Sequence, residues 1–169
     1  MNVITLARML EFQQKGDERG YLVIVEGKED IPFDIKRIFY IYGSDRDVIR
    51  GRHANRKSEF VLINVAGTSK VRVMDGKGNE AVYSLNRPRT GIYLPRMVWK
   101  EMYDFSEDSV LLCLASEHYD PSEYIRDYDE FVKELSCAEI QKSGVQTQLS
   151  GEQAQASGTE LSQPGTGAV

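Results

Sequence analysis

The sequence predicts an all-β sandwich or barrel, closed by one C-terminal helix and followed by a disordered tail. Three observations carry that prediction. Short segments rich in β-branched and aromatic residues, namely YLVIVE, IKRIFYIY, EFVLINVAG, SKVRVMD, AVYSL, TGIYLP and SVLLCLAS, succeed one another with no helical pattern between them. Turn-forming residues punctuate them. Apolar residues at helical spacing recur together only after the last of them.

Taken in order, Lys15-Gly16-Asp17 marks a turn before YLVIVE, and Tyr42-Gly43-Ser44-Asp45 ends IKRIFYIY. SKVRVMD and AVYSL flank Asp75-Gly76-Lys77-Gly78, which predicts a hairpin. Asn86-Arg87-Pro88 is the turn that leads to TGIYLP. Asp120-Pro121-Ser122-Glu123 supplies a capping residue, a proline suited to a first helical turn and an acid near the positive helix end, so the helix is expected to start there. Tyr124, Ile125, Tyr128, Phe131, Val132 and Leu135 then form an apolar stripe, which reads as packing rather than a ligand site.

The chain has 169 residues with 41% hydrophobic content, enough for one domain with an ordinary core. A composition change near Glu139 leaves a stretch without aromatic residues and rich in Gly, Ser, Gln and Thr. Such a segment buries too little apolar surface to offset its ordering entropy. The expected division is therefore a domain over residues 1–136 and a disordered tail over 137–169. A net charge of −5 argues against general nucleic-acid binding, which needs a basic face to displace counterions. The two cysteines, Cys113 and Cys137, make no disulfide framework, and Cys113 in VLLCLA reads as a small core hydrophobe. The opening MNVITLARML is too short and too polar for a signal peptide or a membrane span, so no membrane association and a cytoplasmic location are expected.

Chemistry concentrates in Arg50-Gly51-Arg52-His53-Ala54-Asn55-Arg56-Lys57-Ser58-Glu59. The segment holds one of the two histidines, with cations and a carboxylate around it. The imidazole titrates near neutral pH without help, and arginines such as Arg50 hold phosphates by paired hydrogen bonds. Proton transfer on a phosphate-bearing small molecule suits this set. Strand alternation puts His53, Asn55 and, by extension, Glu59 on one face. Glu59 is then expected to orient His53 or Lys100.

The order His53-x-Asn55, Glu59, Gly67, then Gly91…Pro95…Lys100 resembles the two motifs of the cupin superfamily. Metal-binding cupins have His-x-His, Glu and a later His. Asn55 and Lys100 take the places of two of those imidazoles. One imidazole, a neutral amide and a protonated amine make a poor ligand set, so no metal is expected.

The resemblance narrows through Asp17-Glu18-Arg19-Gly20-Tyr21-Leu22, Ile31-Pro32-Phe33-Asp34-Ile35-Lys36-Arg37, Arg50-Gly51-Arg52-His53-Ala54, Trp99-Lys100-Glu101-Met102 and Tyr119-Asp120…Tyr124-Ile125-Arg126-Asp127-Tyr128. In that order they are similar to the nucleotide-sugar 3,4-ketoisomerases, small cupins acting on dTDP-4-keto-6-deoxyglucose. The resemblance implies a jelly roll (a double-stranded β-helix) and a homodimer with exchanged N-terminal strands. It also implies a dTDP-linked keto sugar as substrate, no cofactor, and a role in deoxyaminosugar synthesis for surface polysaccharide. Members carry His-Ala-His where this chain has His53-Ala54-Asn55. Other readings of the same pocket are a catalytically silent cupin that binds a nucleotide-sugar or a partner enzyme, and a related sugar epimerase.

Moving a ketone from C4 to C3 requires a base near working pH, which suits His53. The developing oxyanion requires a donor or cation, a role open to Lys100, Asn55 or Tyr21. Transfer of a proton between the two oxygens falls to Tyr21, Lys100 or water, because an amide does not relay protons. Arg37 is expected to bind the diphosphate, with an aromatic ring such as Tyr40 stacking on thymine. Trp99 is expected as a wall of the pocket or as core, and Phe39 as core filler.

Overall fold

The structure, a computed structural model, describes residues 7–138. The chain forms two compact units, Met1–Val132 and Lys133–Val169. The second is described only through residue 138, and its described residues are helical. The expected tail over 137–169 therefore lies outside the described residues, except for 137 and 138, which are helical.

The first unit is built from antiparallel strands. In chain order these are β1 (Arg8–Glu11), β2 (Gln14–Asp17), β3 (Gly20–Val23), β4 (Arg37–Tyr42), β5 (Arg50–Asn55), β6 (Phe60–Ala66), β7 (Ser69–Met74), β8 (Glu80–Leu85), β9 (Thr90–Leu94), β10 (Trp99–Tyr103), β11 (Val110–Ala115) and β12 (Tyr124–Ile125). One sheet has the order β1-β9-β6-β11-β4 and the other β12-β5-β10-β7-β8, while β2 and β3 pair with each other as a hairpin. This is the jelly-roll sandwich that the resemblance implied.

Phe60, Leu62, Val71, Val73, Ile92, Leu94, Leu111 and Cys113 fill the space between the sheets. Strand β6 has no polar alternation because it is buried on both faces. Val61 and Ile63 point away from the sandwich and pack with Phe12, Ile31, Phe33 and Leu114. The N-terminal segment thus covers the outside of the first sheet.

The expected hairpin is present, with β7 and β8 paired from Ser69↔Leu85 to Met74↔Glu80. Elsewhere the structure departs from the sequence pattern. Gly16 lies inside β2, not in a turn; the hairpin turns at Glu18 and Arg19, where the Asp17 carboxylate accepts from the Arg19 backbone at 2.9 Å. Asp120 does cap, accepting from the Ser122 amide at 2.9 Å, but it caps a 3-10 turn over Pro121–Glu123. Tyr124 and Ile125 are then extended and pair with Asn55 and Ala54. The helix opens only at residue 128. Its cap is Asp127, whose Oδ1 accepts from the Glu130 amide at 2.8 Å.

Candidate active site

A β-bulge makes the site. Strand β10 faces β5 with Lys100 opposite His53 and Glu101 opposite Gly51, so Arg52 has no partner. Gly51 and Arg52 have φ of 87° and 50°. Such a bulge re-aims the side chain that follows it. Only glycine suits position 51, since a Cβ there would lie 2.8 Å from the Lys100 carbonyl oxygen. The kink also brings His53 Nδ1 to 2.9 Å from the Gly51 carbonyl oxygen. A carbonyl only accepts, so Nδ1 carries the hydrogen and Nε2 is the basic nitrogen.

His53, Lys100, Arg50 and Gly51 line a cavity of about 160 Å³ with Phe39, Ile41, Phe60, Leu62, Met102, Cys113 and Tyr124. Burial is the main cause that pulls the His53 imidazolium down to about 4; Lys100 adds to it, the Gly51 hydrogen bond opposes it, and Arg126 adds a smaller effect. His53 is therefore neutral at pH 7 and able to take a proton. Its ring sits against Tyr124, with centroids 4.9 Å apart.

Lys100 is 5% exposed. Its ammonium donates to Asn55 Oδ1 and lies 4.8 Å from the centre of the Phe60 ring. Desolvation lowers it to about 7, opposed by the charge of Glu123 and by Cys113. Asn55 is buried and reaches the cavity through Lys100; among the described residues its Nδ2 has no partner. Glu123, also buried, accepts from the Ser58 amide at 2.9 Å, from the Lys57 amide and from the Ser58 hydroxyl. That carboxylate pins the 3-10 turn and so fixes Tyr124 against His53.

Arg37 opens β4 beside the cavity. Its guanidinium lies over the rings of Phe39, Phe60 and Tyr119 at 5.3, 6.0 and 5.5 Å. Nε and Nη2 are buried and, among the described residues, unpartnered. Two buried guanidinium nitrogens left without a partner are suited to an anionic group.

The remaining predicted residues are scattered. Arg50 lines the cavity mouth, its Nε donating to Ser44 Oγ at 2.7 Å. Tyr40 is on the other face of β4 from Phe39 and Ile41, is 62% exposed, and its ring lies 5.9 Å from that of Tyr42 in a tilted arrangement. Tyr21 is 82% exposed on the β2–β3 hairpin, in a separate cleft. Glu59 sits just before β6 and accepts from the Tyr93 hydroxyl, in another cleft with Lys28, Lys36 and Arg96. It does not share the cavity with His53 or Lys100, because the loop between β5 and β6 breaks the alternation. Trp99 is buried against Tyr128 and Phe131 and is core, not a cavity wall. Phe39, expected as core filler, instead lines the cavity. In the sequence Tyr124 is one member of the apolar stripe, and a two-residue strand shows no alternation that would single it out. Among the described residues, no group of three or more His, Cys, Asp or Glu side chains is placed to hold a metal ion.

Residues 5–136 match the family model described as FdtA: WxcM-like, C-terminal. The chain belongs to this family. It is 39% identical over 137 residues to the TDP-4-oxo-6-deoxy-α-D-glucose-3,4-oxoisomerase of Aneurinibacillus thermoaerophilus, covering 81% of this chain and 98% of that protein. It is similar to a mutant QdtA 3,4-ketoisomerase from Thermoanaerobacterium thermosaccharolyticum, solved in complex with TDP-4-keto-6-deoxyglucose, with a TM-score of 0.74 and 43% identity over 76% of this chain and 93% of that one. The WlaRB TDP-quinovose 3,4-ketoisomerase of Campylobacter jejuni has a TM-score of 0.72 and 41% identity, covering 75% of this chain and 97% of that one.

Proposed function

We propose that the protein is a sugar 3,4-ketoisomerase that converts dTDP-4-keto-6-deoxyglucose to its 3-keto isomer through an enediol(ate). The observation that carries this reading is His53, a neutral imidazole with Nδ1 tied to the Gly51 carbonyl, lining a cavity that also holds Lys100. One side chain on one side of the ring removes the C3 proton and returns it at C4. A cation in the same cavity stabilises the charge that develops on oxygen. The donors around His53 are an amide and an amine, which are poor metal ligands, so the reading assigns the proton transfers to side chains.

The cavity of about 160 Å³ has room for a sugar ring but is smaller than the roughly 300–1,000 Å³ of sites that enclose a whole ligand. The diphosphate therefore extends past Arg37, whose unpartnered nitrogens meet it. The same reading includes a homodimer with exchanged N-terminal strands. The exposed β2–β3 hairpin and the exposed row Ile38, Tyr40 and Tyr42 on edge strand β4 support it, because such edges and apolar rows are normally covered. It also includes a cytoplasmic role in the synthesis of deoxyaminosugars for surface polysaccharide, on the strength of the family.

Incubation with dTDP-4-keto-6-deoxyglucose in D₂O, followed by NMR, tests the activity. Deuterium entering the ring together with a 3-keto product is expected. Binding without exchange would establish the silent cupin instead. A product inverted at a ring carbon with its ketone unmoved would establish an epimerase.

A further inference from the structure

We propose that Lys100 is the proton carrier between the two vicinal oxygens of the substrate, and that Asn55 is the positioning residue that aims it. This inference rests on the ketoisomerase reading. Two observations of geometry support it. The bulge in β5 sets Lys100 directly opposite His53, and both line one cavity. The ammonium is enclosed, with Phe60 beneath it and Asn55 Oδ1 as its hydrogen-bond acceptor. The family resemblance implies a second imidazole at the position of Asn55, and an amide neither takes nor gives up a proton near neutral pH.

The chemistry balances with these groups alone. His53 Nε2 takes the hydrogen from C3 as a proton, and the C–H electron pair forms the C3=C4 double bond. The former carbonyl pair moves to O4, which takes a proton from the Lys100 ammonium. The neutral amine then accepts the proton of the C3 hydroxyl. As the C3=O bond forms, the double-bond electrons take the proton from the His53 imidazolium at C4. His53 and Lys100 both end as they began, with no oxidant or reductant consumed.

A group that both gives and accepts must titrate near working pH. The charged and titratable groups around Lys100 are His53 on β5, Cys113 on β11 and Glu123 on the 3-10 turn; Arg37 on β4 faces Cys113. Burial pushes the Cys113 thiol up to about 12, so it stays protonated. Burial brings Lys100 down to about 7, a value that permits both halves of the relay.

The test separates a relay from a fixed cation. Lys100→Arg keeps a positive charge but cannot release a proton. With the wild type isomerising dTDP-4-keto-6-deoxyglucose, this variant is expected to retain deuterium exchange at C3 within about tenfold. Formation of the 3-keto product should fall by roughly 10²–10⁴-fold. Lys100→Met, which suits the buried site, should lose both by at least about 10²-fold while staying folded by circular dichroism. Asn55→Leu removes the acceptor that favours the charged amine, so the alkaline limb of the kcat profile should move from near 7 to lower pH. Near-native product formation by Lys100→Arg or Lys100→Met would overturn the relay, and an unmoved limb in Asn55→Leu would overturn the role of Asn55. A wild type with no isomerisation at all would instead sink the ketoisomerase reading.

Discussion

Gly51→Ala is the sharpest test of the bulge that builds the site. The residue has φ of 87°, a conformation that costs a residue with a Cβ about 1–2 kcal/mol. The new Cβ would also fall 2.8 Å from the Lys100 carbonyl oxygen and 3.3 Å from the end of the Met102 side chain. Met102 can shift, but the carbonyl belongs to the paired strand, so β5 and β10 must separate locally. Overpacking of that kind costs about 1–3 kcal/mol. Together the two effects lower stability by about 2–5 kcal/mol, or roughly 6–15 °C in Tm at about 3 °C per kcal/mol. Differential scanning calorimetry reads this directly, and turnover should fall with it because the Gly51 carbonyl orients His53. A Tm within about 2 °C of the wild type with unchanged turnover would refute the account of the bulge.

The other expectations concern binding and pH. Arg37→Gln removes a guanidinium with two buried nitrogens that are unpartnered among the described residues, and charge-assisted hydrogen bonds contribute about 1.5–3 kcal/mol. Affinity for TDP by calorimetry should therefore drop about 10–100-fold, and an unchanged affinity would show that the diphosphate lies elsewhere. His53 is held at about 4 against an ordinary 6.5, so the unfolded chain binds its proton first as pH falls. Its contribution to stability is intact above pH 6.5 and declines to a loss of about 3 kcal/mol near pH 4. Urea denaturation at pH 6.5, 5.5 and 4.5 should show a shallower decline for His53→Gln than for the wild type; equal slopes would mean that the imidazole is not desolvated.

The strands that were legible in the sequence are those whose side chains obey one environment. β7 and β8 alternate, and β6 and β11 are apolar because their surroundings are. No strand pattern marks β10, because Lys100 and Glu101 interrupt its apolar residues; Lys100 is buried against the local pattern. β1 and β2 are short and mostly exposed, so no periodicity marks them. The helix starts at 128, seven residues after the 121 that the sequence predicts, since two capping signals occur close together and the first serves the 3-10 turn. In the site, His53, Lys100, Asn55, Arg37 and Arg50 are found together, because spacing of two along β5 is insensitive to the bulge that precedes it. Glu59 is not with them, because parity does not survive a loop. Tyr40 lies outside the cavity for the opposite reason: β4 alternates regularly, and Phe39 and Ile41 rather than Tyr40 face the cavity.

Deuterium incorporation at C3 of dTDP-4-keto-6-deoxyglucose by His53→Asn, compared with the wild type in D₂O, measures the central claim. An amide cannot accept the ring proton at neutral pH, so exchange and 3-keto product should fall by at least about 10²-fold. Binding of the nucleotide-sugar through Arg37 should remain within a few-fold of the wild type. Exchange at a near-native rate in His53→Asn would contradict the assignment of His53 as the base.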